Sequence, residues 1–93
     1  MVDWLASERP DLSPKVRPGW GSVNYHHRRA GFVLALFPYA DRVSMIFQHG
    51  RLLSSPLLEG ETRQVRWVVL RPGEPVPWEA LGVLILEAIA LRA

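Results

Sequence analysis

Hydrophobic and polar positions along this chain change period three times, and each change marks an element. Residues Ser22 to Arg28 alternate, with Val23, Tyr25 and His27 on one face and Ser22, Asn24 and His26 on the other, which predicts a half-buried strand. Phe32 to Phe37 is apolar on both faces and predicts an interior strand. Arg42 to Gln48 alternates again, with Val43, Met45 and Phe47 opposite Ser44, Ile46 and Gln48. The connections Arg29-Ala30-Gly31 and Pro38 to Asp41 are too short for a crossover, so these strands must run antiparallel. Glu59-Gly60-Glu61 predicts a tight turn that leads directly into a strand over Arg63 to Leu70, rich in β-branched and aromatic residues. His49 to Leu58 reads as a loop.

At Trp78 the period becomes 3.6. Pro77 suits the first turn of a helix, where its missing N–H is not needed, and Trp78 to Leu91 is predicted helical. Leu81, Leu84, Ile85, Ala88, Ile89 and Leu91 share one face, expected to pack on the sheet. The opposite face carries Glu79 but also Val83, Leu86 and Ala90. Three apolar residues there call for a second cover, either the N-terminal Trp4/Leu5 segment or the same face of a second copy in a homodimer. Val2 to Glu8 can form about two helical turns. Pro10, Pro14 and Pro18 stop any long helix, and Arg9 to Gly19 reads as an extended arm. The expected fold is α+β: a single domain over residues 1–93 with a four- or five-stranded antiparallel sheet, a C-terminal helix on one face and a short N-terminal helical turn. Leu34, Leu36, Trp67, Leu81 and Ile85 are its expected core.

Composition narrows the chemistry. A chain of 93 residues with 48% hydrophobic residues and 4 Trp has the material for one modest core. It has 0 Cys, which removes disulfides, thiolate metal sites and a thiol nucleophile and fits a reducing cytoplasm. No stretch reads as a signal peptide or membrane span. The net charge is +2, and Lys15 is the only lysine among 11 basic residues. Basic groups cluster only at His26 to Arg29, without a nucleic-acid-binding motif, so nucleic acid is not an expected partner.

Several short motifs, in order, resemble a known family. They are Pro10-Asp-Leu-Ser-Pro-Lys-Val-Arg, then Gly19-Trp20 and Tyr25, then Leu58-Glu-Gly-Glu-Thr-Arg-Gln-Val-Arg, followed by a Pro-rich loop and a final helix. Together they resemble the YdhG-like domain family, small bacterial proteins mostly of unknown function, over roughly residues 10–91. The resemblance implies a small cytoplasmic binding or accessory module with an unspecified ligand or protein partner. Part of that family is labelled as frataxin-like iron chaperones, which is the alternative implied here. Family members carry a longer N-terminal helix than the residues before Pro10 provide.

The candidate ligand contacts are Trp20, Tyr25, Arg63 and Arg66, expected on the sheet face that the helix leaves open. Arg63 shares a face with Val65 and Trp67, and Arg66 with Gln64 and Val68. His26 and His27 are adjacent and point to opposite faces of a strand, so they cannot chelate one ion together. His27, His49, Glu59 and Glu61 are the remaining metal candidates, but their scatter supplies no coordination set, and no metal or cofactor is expected. Ser54-Ser55-Pro56 has no glycine elbow, and there is no Gly-rich phosphate loop. A non-enzyme is expected; a small enzyme on an anionic metabolite would need a pocket holding His27 or His49 beside an arginine.

Overall fold

Five strands follow one another as an antiparallel meander in the computed structural model, which describes residues 2–19, 21–61 and 64–91. They are β1 (Leu12–Arg17), β2 (Ser22–His27), β3 (Gly31–Pro38), β4 (Val43–Phe47) and β5 (Arg66–Leu70), with spatial order equal to chain order. Two helices frame the sheet, α1 (Val2–Glu8) and α2 (Trp78–Ala90), and a 3₁₀ turn spans Gly50–Leu52. The fold is therefore the expected α+β arrangement, with five strands.

The fifth strand is β1, within the segment expected as an unpaired arm. Its register with β2 runs from Leu12↔His27 to Arg17↔Ser22. Pro14 is tolerated because β1 is an edge strand. The Leu12 N–H bonds outward to the Arg9 carbonyl at 3.1 Å, so Pro14, two residues on, directs its missing donor to the same outer side. On the opposite edge β5 begins at Arg66 rather than Arg63, which lies outside the described residues. The turn also does not lead directly into the strand, because Gln64 and Val65 intervene without strand structure.

Register decides which face each side chain takes. Tyr25, Leu34 and Phe47 align across β2–β4 with Arg66, and Val23, Leu36 and Met45 align with Val68. These rows face the helices. Leu5 of α1 and Leu81, Leu84, Ile85 and Ile89 of α2 join Leu34, Leu36, Met45, Phe47 and Val68 in one buried cluster. Between His26 and Tyr25 the β2–β3 register shifts, so that Phe32 and Leu34 are their partners and Val33 is the extra residue. This bulge turns Val33 into the core, where it is 5% exposed.

Three packing expectations change. Trp67 belongs not to the core but to the uncovered face, half-buried, because Val68 takes the helix-facing position. Leu91 follows the last turn of α2 and is 41% exposed. The N-terminal segment does not cover the outer face of α2: Leu5 enters the core, and the Trp4 ring lies 5.0 Å from that of Trp78. Val83 and Leu86 stay 65% and 56% exposed.

Two glycines permit close approaches. A Cβ on Gly50 would overlap the backbone of Arg66, and one on Gly60, at φ +107°, would sit 2.5 Å from the Trp67 ring. Both tie the long β4–β5 connection to β5.

Truncation of Leu81 to Ala should cost about 2–5 kcal/mol in urea denaturation, from lost transfer energy and the cavity left behind. A loss below about 0.5 kcal/mol would show that α2 does not pack by this face. Gly60→Ala should also destabilise, whereas Gly82→Ala, inside α2 with nothing within 4 Å of the added methyl, should stabilise by up to about 1 kcal/mol.

Candidate functional site

The hairpin turn between β3 and β4 presents a tyrosine and an arginine together. The Tyr39 N–H bonds the Arg42 carbonyl at 2.7 Å, which closes the turn. That geometry sets the Arg42 guanidinium carbon 4.3 Å from the centre of the Tyr39 ring, a cation–π contact. Asp41 holds the same guanidinium at 2.7 Å, an exposed pair of small energetic weight. The stack thus orients Arg42 without burying it.

Facing this turn is the connector from β5 to α2. Trp78 opens the helix; its N–H bonds the Val76 carbonyl at 2.9 Å, and the Trp4 ring braces its indole. Between the two lies a cleft of about 350 Å³. Val43, Leu70 and Val76 form its apolar lining, Tyr39 and Trp78 its aromatic one, and Arg42 and Arg71 bring positive charge. The lining is mostly apolar with a few polar groups, and the cleft opens to solvent along the exposed Tyr39 and Trp78. A second depression of about 260 Å³ on the uncovered sheet face shares Tyr39 and Arg42 and adds Ser44, Ile46, Trp67 and Val69.

Of the residues expected as ligand contacts, Tyr25 and Arg66 do not line this cleft. Tyr25 lies on the helix-covered face and is 3% exposed, so it is a core residue rather than a contact on the open face. Its hydroxyl has no hydrogen-bond partner among the described residues, and burial pushes it above its ordinary pKa. Arg66 is on the covered-face row as well, half-buried, with its guanidinium donating to the Val65 carbonyl at 2.8 Å. Trp20 and Arg63 lie outside the described residues. Tyr39, Arg42 and Trp78 were not singled out by sequence reasoning. The signal available was a Tyr and an Arg three apart in a turn opened by Pro38, and a Trp set at a helix start by Pro77.

The histidines are placed apart from the cleft. His27 Nδ1 accepts the backbone N–H groups of Arg29 at 3.1 Å and Ala30 at 3.2 Å, closing the β2–β3 turn. Its Nε2 faces Asp11 Oδ2 at 3.4 Å, and Asp11 also holds Arg9 at 2.5 Å. Two donors on Nδ1 require that the neutral ring carry its proton on Nε2. His26 stacks its ring 5.4 Å from Phe32 on the uncovered face. His49 Nδ1 is 3.3 Å from Gln64 Nε2, and the residue borders an internal cavity of about 10 Å³, room for one water. Among the described residues no arginine lines that cavity. Among the described residues no three His, Cys, Asp or Glu side chains form a metal-holding group, and no helix is long and apolar enough to cross a membrane.

In nitrogen-detected NMR at a pH where the ring is neutral, His27 should appear as the Nε2–H tautomer; an Nδ1–H tautomer would contradict the turn geometry. His27→Ala should lower stability by about 1 kcal/mol, because the two N–H groups then turn to water. The His27–Asp11 pair and the Tyr39–Trp78 cleft have no counterpart to borrow from, since no protein-family model, curated protein or solved structure matches this chain.

Proposed function

We propose that the chain is a small binding module that takes up a small organic anion with an apolar or aromatic body in the cleft between Tyr39 and Trp78. The observation that carries this reading is the pairing of aromatic and apolar lining with Arg42 and Arg71 in one cleft of about 350 Å³. Apolar walls favour a desolvated hydrocarbon or ring. A guanidinium presents a fixed fork of donors suited to carboxylate or phosphate oxygens. Arg42 is preoriented by its stack on Tyr39, so less side-chain freedom is lost on binding.

The polar side chains of the cleft support binding over catalysis. A guanidinium offers hydrogen-bond donors and no acceptor, so Arg42 and Arg71 suit recognition of an anion rather than abstraction of a proton. The two arginines also favour an anion over a bare metal cation, which is why this reading is preferred to iron delivery. A binding or accessory role is likewise what the resemblance to YdhG-like domains implies.

Naphthalene-2-sulfonate is a suitable probe, with naphthalene-2-methanol as its uncharged counterpart. The sulfonate should quench or shift tryptophan fluorescence with saturation, and the alcohol should bind at least several-fold more weakly. Trp78→Ala and the pair Arg42→Gln/Arg71→Gln should each weaken sulfonate binding about tenfold, a loss of about 1.4 kcal/mol. Binding untouched by these substitutions, or none at millimolar probe, would remove the proposal.

A further inference from the structure

The outer edge of β5 is open over one residue, and the way it is opened is informative. Trp67 exchanges both main-chain hydrogen bonds with Glu59, at 2.7 and 3.1 Å. Position 67 of β5 therefore turns its N–H and C=O away from β4, and in an antiparallel ladder so does position 69. The outward N–H and C=O of Val69 have no partner among the described residues.

The chain's own segment could have continued along this edge. Glu59 opposes Trp67, so antiparallel continuation would set Leu57 opposite Val69. It does not, because the segment turns away: the Leu58 N–H bonds the Ser55 carbonyl at 3.3 Å, and the Leu57 N–H bonds Ser55 Oγ at 3.2 Å. A groove of about 360 Å³ remains along the edge, lined by Pro56 and Leu57 from one segment and by Glu74, Pro75 and Pro77 from the connector to α2. Prolines in both segments stiffen it, so it needs little ordering on binding. Glu59 and Glu74 outnumber Arg71 among its charged residues.

The geometry points to strand addition: this groove accepts an extended peptide segment of a partner protein, bearing a lysine or arginine, which pairs its main chain with Val69 and sets its basic side chain by Glu59 and Glu74. Main-chain pairing along an exposed edge supplies affinity, and flanking side chains supply selectivity. The carboxylates choose the basic peptide by charge complementarity. A second copy of the chain fits less well. Centring a twofold β5–β5 pair on Val69 would bring position 71 of one copy opposite position 67 of the other, where Glu59 already sits. The β1 edge is a poorer template, because Pro14 has no donor there and Leu12 is bonded to Arg9.

The test uses the peptide acetyl-Lys-Val-Lys-amide, short enough to pair at Val69 without reaching the position opposite Trp67 that Glu59 fills, and the full chain labelled with nitrogen-15. Adding the peptide should shift the Val69 amide resonance and slow its hydrogen exchange. A peptide with alternate N-methylated amides should bind at least tenfold more weakly. Val69→Pro removes the outward donor without removing a bond to β4, so it should stay folded and lose binding at least tenfold. Should that variant not fold, Glu59→Gln/Glu74→Gln should bind several-fold more weakly and with a shallower salt dependence. Absence of any Val69 shift at millimolar peptide would overturn the inference. So would equal affinity for the N-methylated peptide, shifts centred on Tyr39 and Trp78 instead, or Val69 protection that rises with protein concentration alone, which would assign the edge to a second copy.

Discussion

A single covered face is the constraint on which this structure depends. The sheet can bury one side only, because the described residues form one long helix to lay across it. The row of Leu34, Leu36, Met45, Phe47 and Val68 meets Leu81, Leu84, Ile85 and Ile89, and Leu5 of the short N-terminal helix completes the cluster. A domain of this size has little surplus stability. The alternation of β2 and β4 therefore has to stay in phase with α2, since a slip of one residue would exchange the buried and solvent faces.

The uncovered face is shaped by the same constraint. Its large residues, Phe37, Ile46, Trp67 and Val69, are each only half-buried, while the small and polar ones between them are sheltered. Ala35, between Asn24 and Ile46 in the ladder, is 2% exposed. Gly60 crosses the Trp67 ring and partly covers it. Part of the apolar surface is thus shielded by the sheet's own side chains and by a loop rather than by a second layer.

Both proposed recognition surfaces arise where the meander ends. The cleft at Tyr39 and Trp78 forms where the β3–β4 turn faces the proline-rich connector, and the groove at Val69 where the connection before β5 leaves the edge. Proline density in residues 72–77 serves both, because a connector with fixed φ angles holds Val76 and Trp78 on one site and Pro75 and Pro77 on the other. The two adjoin each other, since Leu70, Arg71 and Val76 line both.

Local pattern alone determined the three central strands, their antiparallel pairing, the helix after Pro77 and the buried set Leu34, Leu36, Leu81 and Ile85, because side-chain period and connection length are local quantities. Tertiary structure decided the rest. Whether Leu12 to Arg17 pairs depends on the outer strand position that makes Pro14 harmless. Whether Trp67 is core or surface depends on which face α2 takes, and Arg66 and Tyr25 follow the same choice. Trp20 and Arg63 lie outside the described residues, so the expected ligand set is answered only for Tyr25 and Arg66, both on the covered face. The cleft joins residues 39 to 43 with residues 70 to 78, a proximity created by the pairing of Val43 with Leu70. No periodicity encodes such a contact; it exists only once β4 and β5 are in register.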